Sequence, residues 1–187
     1  MNIYLIGYRC TGKTTVGQAL AERLNLDFID ADDYLERRAG TSIKAIFAAE
    51  GEKGFRQREC EVIAELAQLD GKVIAAGGGA ILNEQNVEHM RRSGRVVLLE
   101  ADADTIYGRI TRDVRTESQR PSLTDRNQYE EIKHLLDYRK PFYDRAADMT
   151  FDTSALSIHE VVDGIVEALD KGARPAGTRP MEESPAT

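Results

Sequence analysis

Hydrophobic positions along this chain switch between two patterns. Asn2–Ile6 and residues 72–76 and 95–100 are short, nearly unbroken apolar runs, the last with Val-Val-Leu-Leu at its centre. Such runs read as strands buried on both faces. Asp27–Asp30 and Met149–Asp152 are two shorter ones. Between them apolar residues fall three and four apart, the spacing of a helix face. Lys13–Leu24 carries Val16, Leu20 and Leu24 on one face. Residues 32–70 read as three helices, with Gly40 and Gly51 as stops, Ser42 as an N-cap, and Phe55, Val62, Ile63, Leu66 and Leu69 as a long apolar face. Cys60 falls in this stretch and reads as core. Asn83 suits the cap of a helix ending before Gly94, and Asp102 starts a helix with Ile106 and Ile110. Residues 111–125 are polar and aperiodic, which predicts a mobile loop. The next helix runs to about Asp144 and is expected to break near Pro141. Ser157 and Glu160 form a capping box for a last helix with Val161, Ile165 and Leu169.

Strands alternating with helices predict an α/β fold with a parallel sheet. Ligands of such folds sit at the carboxyl ends of the strands. The 187 residues suit one domain, read as 1–171, and the Pro/Gly/Ser/Glu-rich residues 172–187 read as a disordered tail. Lys+Arg is 25 and Asp+Glu is 32, a net charge of −7, which argues against a basic nucleic-acid binder. No apolar run approaches the roughly 20 residues that span a bilayer, and the start lacks the charged and apolar parts of a secretory leader. Two cysteines make neither a disulfide framework nor a zinc site, so a cytoplasmic location is expected. Of the 25 basic residues 18 are Arg, the side chain best suited to clamping carboxylates and phosphates.

Gly7-Tyr8-Arg9-Cys10-Thr11-Gly12-Lys13-Thr14 fits G-x-x-x-x-G-K-[ST] in full. Its glycines let backbone N–H groups wrap a phosphate. Lys13 reaches the β- and γ-phosphates, and Thr14 offers its hydroxyl to Mg²⁺. The following helix adds its N-terminal dipole. A chance match in a chain of this composition arises roughly once in two hundred. Gly7, Tyr8, Arg9, Cys10, Thr11, Gly12, Lys13, Thr14 and Thr15 are therefore the candidate nucleotide-binding residues. Cys10 reads as a small loop filler rather than a reactive thiol.

The chain lacks the Asn-Lys-x-Asp segment of a GTPase and is short for a motor. That leaves the small kinases, which need an acceptor site, a lid and a positive group on the transferring phosphoryl. Asp30 and Asp32 follow the second strand. On an extended stretch both carboxylates would face the crevice, one supporting Mg²⁺ and one accepting a hydroxyl proton; Asp32 would equally suit a helix cap. Arg56 and Glu59 are i,i+3 neighbours, either a functional pair or a solvated one. Gly77-Gly78-Gly79 suits a ligand approaching the backbone closely, or a flexible turn.

Taken in order, residues 7–17, Phe-Ile-Asp-Ala-Asp at 28–32, Ser-Ile-Lys-Ala-Ile-Phe at 42–47, Gly-Phe-Arg-Gln-Arg-Glu at 54–59, the three glycines, Arg-Pro-Ser-Leu at 120–123 and Arg-Lys-Pro-Phe-Tyr at 139–143 resemble the shikimate kinases. The resemblance covers residues 1 to about 170. It implies a P-loop NTPase fold: a five-stranded parallel sheet in the order 2-3-1-4-5 flanked by helices, as in nucleoside-monophosphate kinases. A substrate-binding segment at about 31–62 and a lid at about 111–125 complete it. The implied reaction is phosphorylation of shikimate by ATP with Mg²⁺, toward chorismate and the aromatic amino acids, in a cytoplasmic monomer. Lys13, Asp32 and Arg120 would be catalytic, with Asp32 as the base and Arg120 as the lid arginine. Arg56 and Arg139 would grip the substrate carboxylate, Glu59 would orient Arg56, and Gly77, Gly78 and Gly79 would line the substrate. Thr14 would meet the metal, supported from behind by Asp30. Arg109 would stack near adenine, where Asp152 and Thr153 begin a loop. The usual Arg-Pro-Leu is interrupted here by Ser122. The alternatives are another small-metabolite or nucleotide kinase of this fold, and a non-catalytic kinase-like binding protein.

Overall fold

A computed structural model describes residues 1–112 and 128–172. Strands and helices alternate through it as β1 (Asn2–Ile6), α1 (Lys13–Leu24), β2 (Asp27–Asp30), α2 (Ala31–Ala39), α3 (Ile43–Leu66), β3 (Lys72–Ala75), α4 (Glu84–Ser93), β4 (Gly94–Glu100), α5 (Ala103–Arg112), α6 (Gln128–Ala146), β5 (Met149–Asp152) and α7 (Ile158–Asp170). A 3₁₀ turn, Ala80–Leu82, precedes α4. The sheet order is β2-β3-β1-β4-β5, and each neighbouring pair is parallel. The resemblance implied this order. Among the described residues no helix is long and apolar enough to cross a membrane.

Alternation along the strands splits the core in two. Tyr4, Ile6, Ile74, Val96 and Leu98 point to the face covered by α3, α4 and α6. Ile3, Leu5, Val73, Val97 and Leu99 point to the face covered by α1 and α7. Burial on both sides is why these strands read as continuous apolar runs. Gly17 lets α1 close onto the sheet, since a Cβ there would lie 2.9 Å from Phe28 Cδ2 and 3.1 Å from Leu5 Cδ1. β1 is central, with chain crossing away from it on both sides. The crevice above its carboxyl end is the place for a ligand.

Several local expectations change. Gly51 does interrupt α3, at φ 69° and ψ −173°, but the chain resumes helix at once and only a kink remains. α6 is continuous through Pro141. A helix-interior proline costs about 3 kcal/mol, and packing on both sides of it holds the helix: Ile132 ahead, Tyr143 and Ala146 behind, all buried. Leu69 lies beyond the end of α3 and is exposed. Cys60 is half-exposed beside Gln85 rather than core. Residues 111 and 112 belong to α5. The rest of the expected loop, and the tail from 173, lie outside the described residues.

Candidate active site

The loop between β1 and α1 is shaped by backbone that few side chains tolerate. Gly7 has φ 143° and Gly12 φ 94°. A Cβ on Gly7 would strike the Leu99 carbonyl oxygen and sit 2.8 Å from Thr11 Oγ1. Cys10 also has positive φ, at 61°. The Thr11 hydroxyl is buried and donates to the Tyr8 carbonyl at 2.8 Å. Lys13 Nζ donates to the carbonyls of Gly7 and Tyr8, at 2.9 Å each, so the ammonium folds over the loop. Gly12 caps α1 without a side chain, and the first turn of α1 holds no acid. Its first N–H groups and dipole therefore face a cavity of about 700 Å³. Arg9, Cys10, Thr11, Gly12, Lys13, Thr14 and Thr15 line this cavity, while Tyr8 is buried behind it.

Asp30 and Asp32 reach the same cavity, by a different geometry from the one expected. They do not share an extended stretch, because α2 begins at Ala31. Asp30 itself is the N-cap, accepting from the Asp32 N–H at 3.0 Å. Asp32 sits in the first turn of the helix instead of capping it. The Thr14 hydroxyl donates to the other Asp30 oxygen at 3.1 Å. Burial, and then the negative charges of Asp32 and Asp33, push the Asp30 carboxyl above its ordinary value.

That strain has a sign. The ionised form of Asp30 is disfavoured by the fold, so its contribution to stability is full at low pH and is lost as pH rises through the raised value. Asp30→Asn keeps a capping side chain. It is expected to raise stability at neutral pH by about 0.5–2 kcal/mol, with the gain vanishing in acid. Melting curves at several pH values check this; a lower Tm at neutral pH would contradict the charge argument.

Gly77-Gly78-Gly79 follows β3 in the site, and Gly77 and Gly79 make room for charged neighbours. A Cβ on Gly77 would lie 2.7 Å from Glu59 Oε1 and 3.0 Å from Asp32 Oδ1. One on Gly79 would lie 2.5 Å from Arg56 Nη2. Arg56 donates to buried Glu59 at 2.7 Å and packs over the Phe55 ring at 5.2 Å, so the pair is not a solvated one. Glu52 lies 3.5 Å from its other terminal nitrogen. Arg139, from α6, donates to the Gly78 carbonyl at 3.0 Å and lies over the Tyr8 ring at 5.6 Å. Two guanidinium groups thus flank one glycine turn, with Asp32 beside it.

Arg109 is placed by three hydrogen bonds: to the Cys10 carbonyl at 3.1 Å, Thr153 Oγ1 at 3.0 Å and the Thr153 carbonyl at 2.7 Å. It borders the far end of the cavity with Leu156 and Ile158. Arg120 lies outside the described residues. Motif reading set Tyr8 among the nucleotide-binding residues and gave Tyr143 no role, and the structure places both differently. Tyr8 is buried under the guanidinium groups of Arg9 and Arg139, and Tyr143 bonds to the Gly78 carbonyl. The i,i+4 spacing of Tyr143 from Arg139 was the available signal for the second.

A phosphate loop feeding α1 at the centre of this sheet, opening on a cavity that Asp30 and Asp32 also line, with Arg56 and Arg139 at the adjoining glycine turn, defines a P-loop small-molecule kinase. A family model described as shikimate kinase matches residues 9–170. A shikimate kinase of Symbiobacterium thermophilum is 44% identical, over 93% of this chain and 99% of its own length. One of Rhodopirellula baltica is 40% identical, over 89% of each. The solved shikimate kinase of Acinetobacter baumannii, in complex with shikimate, superposes with a TM-score of 0.84 at 37% identity, over 91% of this chain and 93% of that one. The chain belongs to the shikimate kinase family, and so to the ATP-dependent phosphotransferases.

Proposed function

We propose that this chain transfers the γ-phosphoryl group of ATP to the 3-hydroxyl of shikimate, giving ADP and 3-phosphoshikimate. The observation that carries this reading is the glycine turn flanked by Arg56 and Arg139 and faced by Asp32. Shikimate is a small carboxylate bearing hydroxyls. Two forked guanidinium groups match its anion, and a carboxylate matches the hydroxyl that attacks. A neutral acceptor has no use for the guanidinium pair, and a phosphate-bearing one, which could use it, is separated from shikimate by the acceptor panel below.

Phosphoryl transfer is mostly positioning and charge stabilisation. In this reading the residues 7–15 wrap the phosphates, and Lys13 leaves the Gly7 and Tyr8 carbonyls for the β- and γ-oxygens. Arg56, oriented by Glu59, and Arg139 fix the acceptor ring. Asp32 then accepts the proton of the attacking hydroxyl as the bond to phosphorus forms. Arg109 braces the adenine end. Arg120 is assigned to the phosphates by family pattern alone.

The residues fit Mg²⁺. Thr14 offers a hard oxygen next to Asp30, whose carboxyl already sits in excess negative charge. Among the described residues no cluster of three or more potential ligands exists, which suits an ion held largely by phosphates and water. When bound, Mg²⁺ would neutralise phosphate charge, with Thr14 as its ligand and Asp30 behind it. The whole of 1–171 acts as one kinase domain in this reading, with 31–62 holding the acceptor, and the protein works as a cytoplasmic monomer on ATP and shikimate.

The test is ADP release with shikimate, quinate, gluconate and AMP as acceptors. Turnover on shikimate is expected; turnover on another acceptor and none on shikimate would overturn the reading. Arg56→Ala or Arg139→Ala is expected to weaken the acceptor by about 2–5 kcal/mol with little change for ATP. Equal loss for both substrates would remove the clamp assignment.

A further inference from the structure

Gly78 is where the acceptor side and the nucleotide side of the site touch. A Cβ placed on it would lie 3.3 Å from the Gly7 carbonyl oxygen, 3.6 Å from the Arg9 backbone nitrogen and 3.6 Å from Arg139 Nη1. Its carbonyl receives two donors from α6. Arg139 Nη1 is at 3.0 Å, and the buried Tyr143 hydroxyl, one helical turn on, is at 2.6 Å. Burial pushes the Tyr143 hydroxyl up to about 12, so it stays a neutral donor around physiological pH.

We propose that Tyr143 is a positioning residue for the acceptor site: it holds the Gly78 carbonyl, so that Arg139 can turn to an acceptor carboxylate. This rests on the reading of Arg139 as a carboxylate clamp. A buried carbonyl stripped of its donor is costly. Without the tyrosine hydroxyl, Arg139 must stay on Gly78 to satisfy that oxygen, and the acceptor competes with the protein for the guanidinium. With the hydroxyl present the carbonyl keeps a donor when Arg139 moves. The hydroxyl also fixes the peptide plane of the turn, and hence where its N–H groups point.

Tyr143→Phe removes the hydroxyl and keeps the ring. Its KM for shikimate is expected to rise about tenfold, the scale of one buried hydrogen bond, with kcat and the KM for ATP each changing by less than about threefold. In an Arg139→Ala background the same change should cost at least about threefold less, because the guanidinium over which it sets up a competition is gone. A merely structural tyrosine predicts otherwise: both KM values move together, or the two substitutions act independently, and either result overturns the proposal. A Tyr143→Phe chain that no longer melts cooperatively overturns it too. A wild-type enzyme inactive on shikimate would sink the acceptor reading and this proposal together, whereas an active wild type with an unchanged Tyr143→Phe sinks the proposal alone.

Discussion

Asp32→Asn is expected to lower kcat by about 10²–10⁴-fold, the usual worth of a positioned general base. Asparagine keeps the size and the first-turn position of Asp32 in α2, and the helix keeps its cap, since that belongs to Asp30. The loss should therefore appear in kcat with the melting temperature close to wild type. Shikimate affinity should fall much less than in the arginine variants, because the carboxylate clamp is intact. Single-turnover measurement of phosphoryl transfer is the check. A variant retaining near-normal turnover would show that the acceptor hydroxyl loses its proton without Asp32.

Lys13→Ala should be as damaging by a different route. The ammonium rests on two loop carbonyls that any bound phosphate would outcompete, because a phosphate oxygen carries full charge and a carbonyl only a dipole. Removing a group that stabilises transition-state charge in a pre-formed site costs about 10²–10³ in kcat. Here ground-state binding of ATP should suffer too. The fold should survive, since the loop is held by its glycine geometry and by Thr11. ADP release and ATP-analogue calorimetry together test this; tight ATP binding with normal turnover in Lys13→Ala would remove the lysine from the mechanism.

Much of this architecture was legible because local signals agreed. β1, α1 and β2 fall where the apolar runs and the loop motif put them. The capping box at Ser157 and Glu160 forms in full. Signals failed where distant contacts outweigh local preference. Pro141 reads as a helix break, yet the contacts of Tyr143 and Ala146 hold the helix through it. Asp30 and Asp32 were rightly paired at one crevice for the wrong reason, since a strand's period cannot reveal that a helix starts between them. The spacing of Arg56 and Glu59 left a functional and a solvated pair open, because no local signal shows that the turn after β3 covers Glu59. Tyr143 stands in the 139–143 motif, but the motif does not reveal its role, because its partner is a backbone carbonyl 65 residues away.

The bare start of α1 has a wider consequence. α2, α3, α4 and α7 are each finished at their N-termini by Asp30, Ser42, Asn83 and Ser157. α1, wrapped into the core through Val16 and Leu20, is left without such a side chain. An anion at the loop would supply the missing acceptor, so bound nucleotide is expected to stabilise the fold as well as to react. Stability and occupancy are then linked through mass action. Resistance to heat and to proteolysis is then expected to rise with nucleotide concentration.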